Sequence, residues 1–354
     1  PVFVEGSIPT VITDKDVDDT VYVGANDGML HAFNADDGTE RFGYVPGGLN
    51  LDNLKGLSSP DYPHSFFVDG AVVVSSREQT MTTSYPKGRN ILVGALGRGG
   101  KGLYALDVTD VTKPTVLWDN TWSDKLGTDS GVDTQGTSAW AAANKQVMGH
   151  ITSTPFIAKL NNGATGVITS NGLHLTDAKG AVTKDEVDQA ALFIVNVETG
   201  SIIKEIRLPG ANNSLSSPRG WDADRDGDVD YVYAGDLQGN LWKFDLTSAK
   251  TSDWSAAYKS GNDPAPMFVA KDADGKRQPI SGGVTIAVDP VSFNRMVLFG
   301  TGRFLTDGDP SDRSVQTIYG LLDNGKPIAG REKLTKRKIV IETTVGGVDV
   351  RTFD

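Results

Sequence analysis

The chain has no cysteine in 354 residues, which removes disulfides, thiol nucleophiles and thiolate metal sites together. The absence assigns no compartment. Long apolar runs are missing too. None approaches ~18 residues, so no segment reads as a membrane-spanning helix. Basic charge is in deficit: 34 Lys and Arg stand against 45 Asp and Glu, a net charge of −11. An acidic surface disfavours nucleic acid and anionic membrane as partners and suits an extracytoplasmic, calcium-rich setting. Histidine is scarce. His31, His64, His150 and His174 form no HExxH pattern, have no evident partner in sequence and read as structural. No Gly-x-Ser-x-Gly elbow occurs, which speaks against an α/β-hydrolase. Carboxylate pairs at glycosidase separation stay open here, because sequence gives no distances.

Helix-period patterns are also scarce, whereas glycine is plentiful at 41 residues. The expected class is all-β with many tight turns. A chain this long fits two or three average domains, but a β-propeller of this length is a single body. Residues 1–354 are therefore expected to form one β-propeller domain. Pro1-Val2-Phe3 reads as the start of a domain excised from a longer protein.

A repeat supports this. Val21-Tyr22-Val23-Gly24-Ala25-Asn26-Asp27-Gly28-Met29-Leu30-His31-Ala32-Phe33-Asn34 matches Val232-Tyr233-Ala234-Gly235-Asp236-Leu237-Gln238-Gly239-Asn240-Leu241-Trp242-Lys243-Phe244-Asp245. Both read as a β-hairpin with glycines at turn positions that need positive φ. The closing Asn or Asp can bond its own backbone and start the next turn. Weaker copies are Leu103–Asp107, Leu192–Asn196 and Tyr319–Asp323. The second-strand spacings are 73, 89, 49 and 78 residues, one of them near the ~40–50 of a propeller blade. Five units are readable. Each except the first has an inner-strand candidate before it: Val68–Val74, Ile151–Ile157, Ser216–Trp221 and Ile280–Ile286. Fourth, outer strands are expected at Ile202–Ile206 and, in the last unit, at Lys338–Glu342.

The stretch Asp222-Ala223-Asp224-Arg225-Asp226-Gly227-Asp228-Val229-Asp230 places five aspartates on alternate positions. Two such charges ~5 Å apart at a partly screened surface repel by roughly 3 kcal/mol. Arg225 alone cannot balance five negatives, but a bound cation can. Calcium loops of the EF-hand type take oxygens from positions 1, 3, 5, 7 and 9, with Gly at 6. Asp222, Asp224 and Asp226 hold positions 1, 3 and 5, and Gly227 holds 6. Asp228 at 7 would ligate through its backbone carbonyl with its side chain toward solvent. Asp230 at 9 is the candidate bidentate ligand, because position 12 is Tyr233 rather than Glu. All-oxygen ligands suit calcium better than zinc, and magnesium would want fewer carboxylates. The flank Tyr231–Ala234 reads as a strand, so the loop is EF-like but anchored on β structure. The lookalikes Asp272/Asp274 and Asp307/Asp309/Asp312 read as solvated turns.

Gly94–Gly102 resembles a phosphate loop but has Ala95 at the first Gly and Gly102 in place of the Ser or Thr; it reads as a glycine-rich turn. The tryptophans at 118, 122, 140, 221, 242 and 254 read as packing between blades.

The hairpin motif Val21–Phe33, together with Gly149-His150-Ile151-Thr152-Ser153-Thr154-Pro155, Ala234–Asp245 and Gly300-Thr301-Gly302-Arg303-Phe304-Leu305, resembles the C-terminal domain of the PilY/PilC family of type IV pilus proteins. The resemblance implies a modified quinoprotein-like β-propeller of seven blades, two more than the five units readable. It implies an EF-hand-like calcium site at Asp222, Asp224, Asp226, Asp228 and Asp230. It also implies a non-enzymatic role in pilus assembly, in calcium-dependent control of extension against retraction, and in surface adhesion and motility. The implied partners are pilus subunits or the pilus machinery, and the host surface through the full-length protein. The implied location is extracytoplasmic, on the pilus or outer surface of a Gram-negative bacterium. Two alternatives are a pyrroloquinoline-quinone dehydrogenase and a passive host-surface adhesin. The first shares the blade pattern, but in many such enzymes the quinone stacks on a vicinal disulfide, impossible here.

Overall fold

All five hairpins read from the sequence are antiparallel strand pairs in the computed structural model, which describes residues 1–4, 19–122, 147–173, 189–305 and 308–353. Each hairpin is the centre of a meander sheet. Sheet one is β1 (Val2–Val4), β2 (Thr20–Gly24), β3 (Leu30–Asn34) and β4 (Glu40–Tyr44). Sheet two is β5 (Val72–Val74), β6 (Ile91–Ala95), β7 (Leu103–Asp107) and β8 (Thr115–Asp119). Sheet three holds β9 (Phe156–Leu160), β10 (Thr165–Ser170), β11 (Ala191–Asn196) and β12 (Ile202–Arg207). Sheet four begins with β13 (Arg219–Trp221). The next strand, β14 (Asp228–Val229), leaves to join sheet three, and β15 (Tyr231–Gly235) and β16 (Asn240–Asp245) return to sheet four. Both β17 (Ser255–Ala256) and β20 (Phe268–Val269) pair with β16, while β18 (Tyr258–Ser260) and β19 (Asp263–Ala265) form a small ribbon. Sheet five is β21 (Thr285–Val288), β22 (Arg295–Gly300) and β23 (Ile318–Asp323). A separate hairpin joins β24 (Ile339–Val345) to β25 (Val348–Phe353).

The sheets stack face to face in chain order, because alternate side chains of each strand enter different cores. From sheet two, Leu92, Tyr104 and Leu106 pack with Tyr22, Leu30 and Ala32 of sheet one. Their neighbours Ile91, Val93, Leu103 and Ala105 pack with Ile157, Val167 and Phe193 of sheet three. Sheet three turns Ile168, Leu192 and Ile194 toward Val232, Trp242 and Phe244 of sheet four. Tyr233 and Leu241 of sheet four meet Val297, Phe299 and Leu321 of sheet five. Strands buried on both faces read as continuous apolar runs, which is the pattern of Ile91–Ala95.

The closing residue of each hairpin caps the turn after it, as the motif predicts. The side chains of Asn34, Asp107, Asn196, Asp245 and Asp323 accept backbone N–H groups of Asp36, Thr109, Glu198, Thr247 and Gly325. The two motif glycines divide the work differently from expectation. Gly28 and Gly239 have positive φ. Gly24 and Gly235 do not; a Cβ there would lie 2.3 Å from Val68 O and 2.2 Å from Ile280 Cγ2. They are small because the segment leading into the next sheet crosses over them.

Four other expectations need correction. The first hairpin does have an inner strand, β1, paired antiparallel to β2. The inner strands of sheets two to five all begin later than expected, at Val72, Phe156, Arg219 and Thr285; in sheets three and four they follow Pro155 and Pro218, whose missing N–H keeps them out of a ladder. Lys338–Glu342 is not an outer strand of the last unit. It contributes to β24, which pairs with β25 across Gly346 and Gly347, both at positive φ; this tight local hairpin wins over pairing with β23. Asp309 is not solvated: it is buried, accepting from Arg303 Nη2 at 2.7 Å and from Leu305 N at 2.7 Å. Asp272 does sit in an exposed turn, accepting from Asp274 N and Lys276 N. Asp307 lies outside the described residues. Gly94–Gly102 is the β6–β7 hairpin turn with its flanks.

Candidate metal site

The acidic loop joins β13 to β15, the first and second strands of sheet four, as the repeat predicts. Its shape comes from its own carboxylates. Asp222 accepts Arg225 N at 2.6 Å on Oδ1 and Gly227 N at 2.9 Å on Oδ2. Asp224 Oδ1 accepts Asp226 N at 3.2 Å, and Asp226 Oδ1 accepts Asp228 N at 2.8 Å. The chain reverses through Arg225 (φ 68°) and Gly227 (φ 98°), the left-handed region that position 6 of such a loop requires.

This folding brings Asp222, Asp224 and Asp226 together. One oxygen from each lies within 4.8 Å of the others. Asp224 and Asp226 are exposed and Asp222 is half-buried, so the group opens to solvent. The donor set is all oxygen, as a hard cation prefers. Three anionic oxygens at this separation stay close without mutual neutralisation, and a cation between them fits.

Asp228 and Asp230 are placed differently. Asp230 is buried, with Oδ2 accepting Ala223 N at 2.7 Å and Oδ1 accepting Asn161 Nδ2 at 3.3 Å. Each oxygen keeps a second lone pair, so the carboxylate stays competent as a ligand. Asp228 is half-buried on β14, opposite Lys159 of β9. Burial and the neighbouring charge of Asp226 raise its carboxyl above its ordinary value, against the pull of Lys159. The parallel pairing of β14 with β9 was not legible in the sequence, because two residues give no strand signal.

Sequence reasoning also missed two polar clusters. His31 has no evident partner in sequence, but its Nδ1 lies 2.6 Å from Glu40 and its Nε2 2.8 Å from Asp27. Glu40 stands on the next strand, so only the β3–β4 register reveals the contact. The buried Asp236 accepts from Trp242 Nε1 at 2.7 Å, Asn240 Nδ2 at 2.8 Å and Asn213 Nδ2 at 2.9 Å, with the N–H groups of Gln238 and Asn240 on its other oxygen. Five donors satisfy that carboxylate without a metal. Trp118, Trp242 and Trp254 are buried between sheets as expected, Trp118 donating to Val197 O of the next sheet at 2.9 Å. His174 and Trp140 lie outside the described residues.

Meander sheets stacked through two-faced cores, each centred on the repeated hairpin, are the architecture of a β-propeller domain. The model of the PilY1 beta-propeller domain matches residues 4–349, and the chain belongs to that family of type IV pilus biogenesis factors. It is 38% identical over 338 residues to a type IV pilus biogenesis factor PilY1 homolog of Xylella fastidiosa, covering 90% of this chain and 20% of that one. It is 34% identical over 348 residues to the type IV pilus biogenesis factor PilY1 of Pseudomonas aeruginosa, covering 91% and 27%. The crystal structure of the Pseudomonas aeruginosa PilY1 C-terminal domain superposes with a TM-score of 0.70 at 30% identity, covering 96% of this chain and 66% of that one. The chain thus spans between a fifth and a third of the length of these two curated relatives.

Proposed function

We propose that this chain is a calcium-binding, non-enzymatic domain that regulates type IV pilus extension and retraction and supports surface adhesion and motility, acting outside the cytoplasm on the pilus or cell surface. The observation that carries the metal reading is the convergence of Asp222, Asp224 and Asp226 within 4.8 Å on a loop with Gly227 at the turn. The ligand set is those three carboxylates, the backbone carbonyl of Asp228 and the carboxylate of Asp230. Calcium supplies charge neutralisation. The chain supplies the geometry, through the N–H groups that orient Asp222, Asp226 and Asp230. A loop that repels itself becomes ordered when loaded, and the ordered loop offers or withdraws a surface for pilus subunits or the assembly machinery.

The test uses the full-length protein in its own cells. Surface pili are counted with calcium and with EGTA, in the wild type and in Asp222→Ala/Asp224→Ala. The variant is expected to behave as the chelated wild type does, whatever the calcium level. A variant that keeps the full calcium response would contradict this reading. Non-enzymatic function is checked separately: a bound-quinone absorbance band after reconstitution with pyrroloquinoline quinone would favour a dehydrogenase instead.

A further inference from the structure

Asn161 belongs to sheet three, yet its side chain serves the acidic loop of sheet four. Its Nδ2 donates to Leu246 O at 3.1 Å, Val229 O at 3.2 Å and Asp230 Oδ1 at 3.3 Å. Two amide hydrogens thus serve three acceptors, two of them in the second half of the loop and the third just past the end of β16. Asn161 stands in the β9–β10 turn, which is closed by Leu160 N to Ala164 O at 2.9 Å and Gly163 N to Leu160 O at 2.8 Å. The turn backbone therefore fixes the amide's reach. One step earlier, β9 pairs in parallel with β14, setting Lys159 opposite Asp228 and Leu160 opposite Val229. The second half of the loop is thus held between two sheets. The hydrogen bonds of Asp222, Asp224 and Asp226 stay within the loop.

We propose that Asn161 is a positioning residue for the metal site, contributed by the neighbouring sheet, and that cation binding and the docking of sheets three and four are one linked event. The proposal rests on the calcium reading above. An amide that donates to one oxygen of a carboxylate fixes its plane and leaves the remaining lone pairs for the ion, the role partners of metal ligands usually fill. Linkage makes the effect reciprocal. Whatever Asn161 adds to cation affinity, the bound cation adds to the contact between the two sheets.

The experiment is a calorimetric calcium titration of the EGTA-stripped protein, comparing wild type, Asn161→Ala and Asn162→Ala. Asn162 is the control for loosening the same turn, because its Oδ1 accepts only the turn's own Ala164 N at 3.1 Å. Asn161→Ala is expected to lose about tenfold or more in affinity with the site count unchanged, while Asn162→Ala keeps wild-type affinity. Hydrogen exchange gives a second readout: saturating calcium should slow the amides of the β9–β10 turn in wild type, and not in Asn161→Ala. Unchanged affinity in Asn161→Ala, or an equal loss in both variants, overturns the proposal while leaving the acidic loop as a metal site. A wild type that takes up no calcium overturns both readings together.

Discussion

Lys243 Nζ lies 2.7 Å from Asp323 Oδ2, and both side chains are buried where sheet four meets sheet five. Tyr233 donates to the same oxygen at 2.5 Å, and the Lys243 ammonium stands 4.1 Å from the Tyr231 ring centre. Burial alone would raise the Asp323 carboxyl, but the bonds from Lys243 and Tyr233 hold it below its ordinary value. Removing one partner leaves the other charge buried. Asp323→Ala should therefore cost about 3–5 kcal/mol in urea unfolding, and Lys243→Met/Asp323→Leu should recover much of that loss. A double variant as unstable as the single would refute the pairing as the cause.

Close approach at Gly235 gives a second expectation. Gly235→Ala forces a Cβ against Ile280 and should cost about 1–3 kcal/mol. Gly282→Ala has open space around its Cβ and should be neutral or slightly stabilising in the same thermal-melt series.

Within the acidic loop, the ligands should separate by their structural duties. In EGTA, Asp230→Ala loses the bonds to Ala223 N and Asn161 and should cost about 1–3 kcal/mol. Asp224 is exposed and orients only Asp226 N, so Asp224→Ala should leave the apo melting temperature nearly unchanged or raise it by relieving repulsion. Melting curves of both variants check this, and the reverse order would contradict the assignment.

His31 carries the pH dependence. Burial lowers its pKa, but the bonds to Glu40 and Asp27 outweigh that and raise it above 6.5. The charged form is thus favoured by folding. Its stabilisation is fully present below the unfolded value and is lost as pH rises through the folded one. Both carboxylates are nearly half exposed, so the contribution is at most about 1 kcal/mol. His31→Gln should flatten the decline of stability above pH 6.5 seen in denaturant titrations.

The hairpins, their Asx caps and the acidic loop were legible because each is local: strand, turn and ligand spacing all lie within a dozen or so residues. What was hidden is non-local. Gly24 and Gly235 looked like turn residues, and only the crossing of Val68 and Ile280 shows that they are spacers. Asn161 lies 69 residues from Asp230 and has no motif of its own. Lys338–Glu342 has the composition of an outer strand, and it is the Gly346-Gly347 turn after it that pairs it locally with β25.

Calcium binding by the Asp222–Asp230 loop underlies the proposed function. The most direct measurement is a calcium titration of the EGTA-stripped protein by calorimetry, with Asp224→Ala alongside, because that variant removes a ligand while sparing the fold. One site is expected in the wild type and none in the variant, with the same apo far-UV spectrum for both. No heat of binding in the wild type, or the same site retained in Asp224→Ala, would contradict it.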